Sequence, residues 1–246
     1  MNPESNIREQ SSMTYWFPKL RDLVGNVPET VKIGTEEREI DDGAPATDGT
    51  TTIQFPNVAE FAGAVSALDG PPVFLRSDQM SAKHRMAEGS KVVSDVPEEF
   101  ESHLWQLWER NRMAMGVPQP ECYYVREWLD LYHEYTAFTG APIAAELRFF
   151  IYENEVYSHG FYWPKDAIRN PSHEDWETRH ESVKELAHCH SEGAREIAEQ
   201  VASVFDGYWS VDFALTDAKE WFCIDMARGE ASWHPEGCDP PDGVER

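Results

Sequence analysis

Two aspartates, Asp212 and Asp225, are embedded in the apolar runs of WSVDFALTDAKEWFCIDMARGE, residues 209–230. A carboxylate inside a strand otherwise built of Val, Phe, Ile and Trp needs a counter-charge, because an unpaired buried ion is strongly disfavoured. Val211–Leu215 and Trp221–Met226 are short and rich in β-formers, and the stretch between them is polar, which predicts a hairpin. A loop at Asp217–Glu220 sets Thr216 opposite Trp221, Leu215 opposite Phe222, Phe213 opposite Ile224 and Asp212 opposite Asp225. Side chains alternate along strands. One face is then Val211, Phe213, Leu215, Phe222, Ile224 and Met226. The other is Ser210, Asp212, Ala214, Cys223, Asp225 and Ala227, with two carboxylates roughly 5 Å apart at Cβ. Four arrangements reconcile such a pair: one acid is protonated, a cation lies between them, the register differs by a residue, or both acids simply face water.

Three further clusters interrupt apolar strands. LRSDQMSAKH (75–84) places Arg76 at a strand end, followed by Ser77, Ser81 and Lys83. Cations, hydroxyls and loop amides together suit phosphate oxygens. VREWLDL (125–131) follows a strand, and AELRFFIY (145–152) puts Glu146, Arg148, Phe150 and Tyr152 on one face. A two-residue turn at Glu153–Asn154 sets Arg148 opposite His159. Singly, each cluster is more simply a set of ion pairs than a site. The chain has no Walker A loop and no G-x-G-x-x-G. His188 and His190 point about 200° apart on a helix and do not chelate together. No serine stands in a nucleophile elbow.

In order, VFLRSDQMSAKH, YYVREWL, AELRFFI and the pair WSVDFAL and WFCIDMA resemble the ATP-grasp superfamily. Within it they are most similar to the branch of the eukaryotic cell-division-cycle protein that assembles translation initiation factor two. The matching pieces span residues 73–227. The resemblance implies an α+β fold of two lobes, antiparallel sheets with packed helices, and a nucleotide cleft between the lobes. It implies ATP and Mg2+ as cofactors. Arg76 and Lys83 would contact phosphates, and Arg126 and Glu127 would end the strand entering the hinge. Glu127, Trp128 and Leu129 would meet adenine, and Arg148 would hold phosphate. Asp212 and Asp225 would bind magnesium, which is a physical reason for the paired acids. Lys83 and Arg148 are the implied catalytic residues. Ala227 stands where the family usually has Asn or a similar oxygen ligand, so Glu230 or water would complete the metal set. The implied activity is ATP-dependent carboxylate–amine-type ligation through an acyl phosphate. The alternative is a non-catalytic ATP-binding assembly factor that grips a protein partner.

The elements that must carry these residues follow from local pattern. Residues 1–14 are polar and expected to fray. FPKL (17–20) and VPETVKI (27–33) read as a lead-in, with an edge strand at Val31–Ile33. Residues 35–52, acidic and rich in Gly, Pro and Thr, read as a loop. Asn57 with Glu60 opens a capped helix to about Leu68, closed by Gly70. Pro72–Arg76 is a strand, and Asp95, Pro97 and Glu98 open a helix ending near Gly116. Cys122–Leu129 is a strand, and Glu146–Tyr152 with Glu155–Tyr162 is a hairpin. Residues 174–205 are helical with a break and a cap at Ser191. The segment after Trp233 reads as loose. The expected organisation is a lead-in at 1–70, an N-lobe at 71–128, a C-lobe at 129–235 and a tail at 236–246.

Composition sets the outer bounds. With 246 residues the chain can bury a substantial core. Its net charge is −24, with 45 acidic against 21 basic residues, so nucleic acid and anionic membranes are disfavoured partners. The lysine-poor, acidic balance suits a salt-rich interior, where ions screen self-repulsion. The four cysteines form no C-x-x-C, arguing against a zinc knuckle or a disulfide framework. With no signal-peptide order and no apolar run of about 18 residues, a cytoplasmic protein is expected. The remaining partner is an unspecified small-molecule, peptide or protein substrate.

Overall fold

A computed structural model describes residues 3–41, 50–81, 83, 90–94, 96–114 and 117–244. In chain order the elements begin with helices α1 (Pro3–Ser11) and α2 (Met13–Leu23), then strands β1 (Thr30–Ile33), β2 (Thr35–Asp41) and β3 (Thr50–Pro56). Helix α3 (Val58–Ala67), strands β4 (Val73–Ser77) and β5 (Lys91–Val92), helix α4 (Pro97–Met113) and strand β6 (Tyr123–Glu127) follow. Next come β7 (His133–Ala137), β8 (Ala141–Ala144), β9 (Glu146–Tyr152) and β10 (Glu155–Phe161). Helices α5 (Trp176–Cys189) and α6 (Ser191–Ala202) precede the closing hairpin, β11 (Trp209–Leu215) and β12 (Trp221–Arg228). The chain divides into two compact units, Glu29–Trp128 and a second made of Met1–Pro28 with Leu129–Arg246. The span expected as a lead-in is therefore shared between the two. Among the described residues no helix is long and apolar enough to cross a membrane.

The Glu29–Trp128 unit is built on an antiparallel sheet in the order β1-β6-β4-β5, with β1 at the edge. One face meets α3 and α4 through Val73, Leu75, Tyr123, Val125, Phe61 and Leu104. The Asn57 carboxamide accepts from the Glu60 amide, as a helix start requires. The Glu60 side chain accepts from the Gly34 amide at 2.7 Å and so ties the helix to the end of β1. Gly70 has φ +92°, the left-handed geometry expected past the helix end. The expected starting residue Asp95 and stop residue Gly116 of α4 lie outside the described residues.

Residues 35–52 are not simply a loop. β2 and β3 pair in register from Thr35↔Pro56 to Asp41↔Thr50, and residues 42–49 lie outside the described residues. Ile53 and Phe55 alternate inward against the helical side of the core. Arg38 lies over the Phe55 ring and pairs with Glu36 and Glu101. Its aliphatic stem and counter-charges let an acidic sequence form a ribbon.

The second unit holds the sheet β10-β9-β11-β12. Its Phe149 and Phe213 side faces α6, whose small residues Ala194, Ala198 and Ala202 allow close approach. The segment 1–14, expected to fray, includes α1, which is anchored to β12. The Arg228 amide donates to Ser11 Oγ, and its guanidinium donates to Gln10 Oε1. α6 begins at Ser191 itself, and no side chain caps it, so the expected Ser191 cap is replaced by a bend at His190. In the same unit, the short β7–β8 hairpin that precedes β9 in sequence was not anticipated.

Two bulges shift expected registers. In β10 an extra residue at Tyr157 places Gly160, not His159, opposite Arg148, and His159 instead stacks on Phe149 at 4.7 Å. In β12 an extra residue at Ile224 keeps Asp212 opposite Asp225 but pairs Phe213 with Cys223 and Leu215 with Trp221. Trp221 and Cys223 thus take the core positions expected for Phe222 and Ile224, while Met226 is buried as expected. The Trp221 indole donates to the His190 carbonyl at 2.8 Å, a bond available only from the helix side.

Candidate functional site

In the Glu29–Trp128 unit, alternation along β4 sends Val73 and Leu75 into the core and Phe74 and Arg76 the other way. β6 does the same, with Tyr124 and Arg126 turned from the core. Register then collects one set on the far face: Thr30 opposite Arg126, Lys32 opposite Tyr124, Arg76 opposite Tyr124, Arg126 opposite Phe74, and Lys91 opposite Phe74. Four cations and no carboxylate occupy the strand positions of this face. Arg76 is 4% exposed and Arg126 3%. Arg76 Nε donates to the Ser77 carbonyl and Arg126 Nε to Thr30 Oγ1, at 3.2 and 3.3 Å. The Lys91 ammonium lies 4.2 Å from the Trp128 ring centroid.

The other expected residues of this region fall around the same strands. Glu127 closes β6, and its carboxylate accepts from the Glu29 amide at 2.8 Å. Trp128 and Leu129, half-buried, are where the chain leaves one unit and enters the other. Lys83 is half-buried, and Ala82 and residues 84–89 lie outside the described residues. The loop after β4 departs from expectation in one respect. Its amides are engaged within the fold: Gln79 and Met80 donate to Ser77 Oγ, Ser77 to the Met80 carbonyl and Asp78 to the Cys122 carbonyl. The groups of this region that could meet an anion are therefore the side-chain cations rather than the loop amides.

In the second unit, β9, β11 and β12 set Arg148, Asp212 and Asp225 in one row, each opposite the next. Arg148 Nε and Nη2 donate to the two Asp212 oxygens at 2.7 and 2.8 Å, with side chains 11% and 4% exposed. This is the forked geometry that guanidinium and carboxylate favour. Burial works against the Arg148 charge, but the charge and hydrogen bonds of Asp212 outweigh it, and its pKa is pushed up. Asp225 is half-buried, and its Oδ1 accepts from the Met226 amide at 3.0 Å. Arg148 therefore offsets one of the two facing acids, which sequence alone left open.

Glu230 is not brought to the acidic pair. It is gripped by Arg228, Nε to Oε2 at 3.2 Å and Nη2 to Oε1 at 2.7 Å. Ala227 lies opposite Ser210. Among the described residues no three His, Cys, Asp or Glu side chains form a metal-holding group. Two carboxylates on one face still suffice for a hard divalent ion that takes its remaining ligands from water or phosphate. Asp212 and Asp225 fit that donor set, and Glu230 does not join it.

The segment after β12 covers this row and was missed. Arg148 Nη1 donates to the Trp233 carbonyl at 2.8 Å, and the guanidinium lies 4.8 Å from the Tyr162 ring centroid. His234 stacks on Phe150 at 4.4 Å and pairs with the Tyr208 hydroxyl at 2.6 Å. Cys238 is buried with Phe150 and Tyr208, and Val244 packs beside them, so the tail expected to be loose is docked. The signal was present in WHPEGC, whose aromatic, Pro and Cys content suits packing.

No protein-family model matches the chain, and no curated protein sequence does. Among solved structures it is similar to Cdc123 from Schizosaccharomyces pombe, at 13% identity and TM-score 0.54, over 91% of this chain and 85% of that one. N5-carboxyaminoimidazole synthase from Aspergillus clavatus, solved with ADP and 5-aminoimidazole ribonucleotide, matches at 17% identity and TM-score 0.46 over 91% and 45%. The D-alanine-D-alanine ligase from Coxiella burnetii matches at 9% identity and TM-score 0.46 over 89% and 48%. With its antiparallel sheets, packed helices and likeness to Cdc123 over most of both chains, this protein has an ATP-grasp-like α+β fold.

Proposed function

We propose that the chain binds Mg-ATP and acts as an ATP-dependent ligase on a carboxylate substrate. The observation that carries this reading is the sheet face whose strand positions bear Lys32, Arg76, Lys91 and Arg126 in a chain of net charge −24. Such a concentration of cations suits a polyphosphate. In this reading residues 71–128 supply the N-lobe and 129–235 the C-lobe. Arg76, Lys83 and Arg148 take phosphate oxygens, Arg126 supports them, and Glu127, Trp128 and Leu129 take the adenine. Asp212 and Asp225 hold magnesium, which when bound neutralises phosphate charge.

The chemistry needs no covalent group from the protein. A substrate carboxylate oxygen attacks the γ-phosphorus, the bond to the β-phosphate oxygen breaks, and ADP leaves. An amine then attacks the acyl carbon, loses a proton and expels inorganic phosphate. The chain's cations position the reactants and balance developing charge. The acid-rich surface fits a salt-rich cytoplasm, with a small-molecule, peptide or protein substrate.

A second reading, an assembly factor that holds ATP and grips a protein partner, is favoured by two observations. Ala227 supplies no oxygen ligand, and Glu230 is held by Arg228. Calorimetry with ATP at high salt, with and without magnesium, tests the common part. Magnesium-dependent binding that is lost in Arg126→Met and Asp225→Asn supports it, and a folded chain that binds no nucleotide rules it out. ADP release on adding candidate acids and amines then separates ligase from holding factor.

A further inference from the structure

Arg148 is already occupied. Three of its N–H groups are donated, two to Asp212 and one to the Trp233 carbonyl. The same side chain is the one expected to hold phosphate, and Asp212 is expected to hold the ion. Two of the five N–H groups, one on each terminal nitrogen, remain, but a phosphate oxygen on Nη1 and an ion on Asp212 would each compete with this arrangement. A bidentate guanidinium covers both Asp212 oxygens, and the Trp233 carbonyl occupies Nη1.

The carbonyl belongs to a segment held by replaceable contacts. Ser232 Oγ meets Ser210 Oγ at 2.6 Å and donates to the Arg228 carbonyl at 2.9 Å. His234 lies flat on Phe150 and bonds Tyr208. Gly160 leaves room for Pro235 and Cys238, since a Cβ there would lie 2.8 Å from Pro235 Cβ and 3.1 Å from Cys238 Sγ. Trp233 itself contributes little burial, at 45% exposed, and meets Tyr162 only edge-on at 6.5 Å. The segment is thus docked at both ends around a weakly packed middle, where its backbone neutralises nothing but satisfies Arg148.

We propose that residues 232–238 form a strap displaced by nucleotide, in which the Trp233 carbonyl keeps the place of a phosphate oxygen on Arg148. This deepens the Mg-ATP reading and rests on it. An anionic phosphate oxygen is a stronger acceptor for guanidinium than a neutral carbonyl. Once it takes Nη1, the Trp233 peptide is released, and Asp212, in holding a divalent ion, would loosen its fork to Nε and Nη2. Nucleotide entry and strap release are then one exchange.

The test uses Ser210→Cys with Ser232→Cys, at two positions whose oxygens are in contact. Calorimetry with Mg-ATP at high salt compares the oxidised protein, its strap bonded to β11, with the same protein reduced. The expected result is binding roughly tenfold or more weaker when oxidised, the scale of one charge-assisted hydrogen bond. Hydrogen exchange on the unaltered chain should show faster exchange within 233–238 when Mg-ATP is added. Equal affinities in both redox forms, or exchange that is unchanged or slower while Mg-ATP binds, overturn the strap alone. Absence of binding to the unaltered chain overturns the nucleotide reading and the strap with it.

Discussion

Arg148 and Asp212 face each other across neighbouring strands, and the guanidinium takes both carboxylate oxygens at 2.7 and 2.8 Å. Both side chains are nearly buried, so neither can be deleted alone without leaving an unpaired charge. Asp212→Ala should lower stability by about 3–5 kcal/mol, the usual effect of breaking a buried pair. Arg148→Met combined with Asp212→Leu should recover most of that loss. Urea denaturation of the two single variants and the double variant measures the coupling, and additive losses would contradict the pairing.

In the proposed Mg-ATP site, Asp225 should separate folding from ligand binding. It is half-buried, and its carboxylate accepts from the next residue's amide at 3.0 Å. Asp225→Asn is isosteric and keeps an oxygen to accept the Met226 amide, so it should cost less stability than the buried Asp212→Ala, about 1 kcal/mol. It should nonetheless remove the magnesium dependence of ATP binding. Titrating ATP with magnesium present, then with it chelated, checks both halves.

Gly229 leaves no space for a methyl group. A Cβ there would lie 2.3 Å from the Tyr208 ring, and Tyr208 in turn holds His234. Gly229→Ala should destabilise by about 1–3 kcal/mol, the range for overpacking. It should also loosen the 232–238 segment. Thermal unfolding with limited proteolysis reads both effects, and adding Tyr208→Ala should relieve the strain.

His180 gives a pH signature. It is buried against Tyr135, whose hydroxyl meets its Nδ1 at 2.8 Å. Burial holds its pKa below the ordinary 6.5, with Lys165 and Lys184 acting in the same direction and Glu181 against them. The unfolded chain then binds more protons than the folded one as pH falls below about 6.5, so stability is present above that value and declines through the acid side. His180→Gln should flatten this slope. Denaturation midpoints from pH 7.5 to pH 5 compare the two chains, and parallel curves would exclude His180 as the source.

Legibility in the sequence followed the range of the interaction concerned. The Asn57 cap, the left-handed Gly70 and the Glu153–Asn154 turn depend on residues a few positions apart, and each was readable. Alternation identified the strands bearing Arg76, Arg126, Arg148 and Asp212. Both bulges escaped, because an extra residue is selected by what the strand packs against: Trp221 is seated by the His190 carbonyl, 31 residues away. The same holds for α1 and the strap. Gln10 is anchored by Arg228, and Trp233 by Arg148, so local pattern could suggest packing, as WHPEGC does, but not the partner of either attachment. The neutralisation of Asp212 by Arg148 was equally hidden, since it depends on β9 lying beside β11.

The division of the chain also dictates an order of assembly on the ribosome. Glu29–Trp128 is continuous, so all its strands have been made once β6 has emerged. The other unit is discontinuous: α1 must wait for Arg228 of β12, and the main chain between Gln10 and Arg228 must be synthesised first. Domains generally fold as they emerge. The inserted unit should therefore be structured while the first two helices are still unpartnered, leaving Trp16, Phe17 and Leu20, buried in the finished fold, open to chaperones.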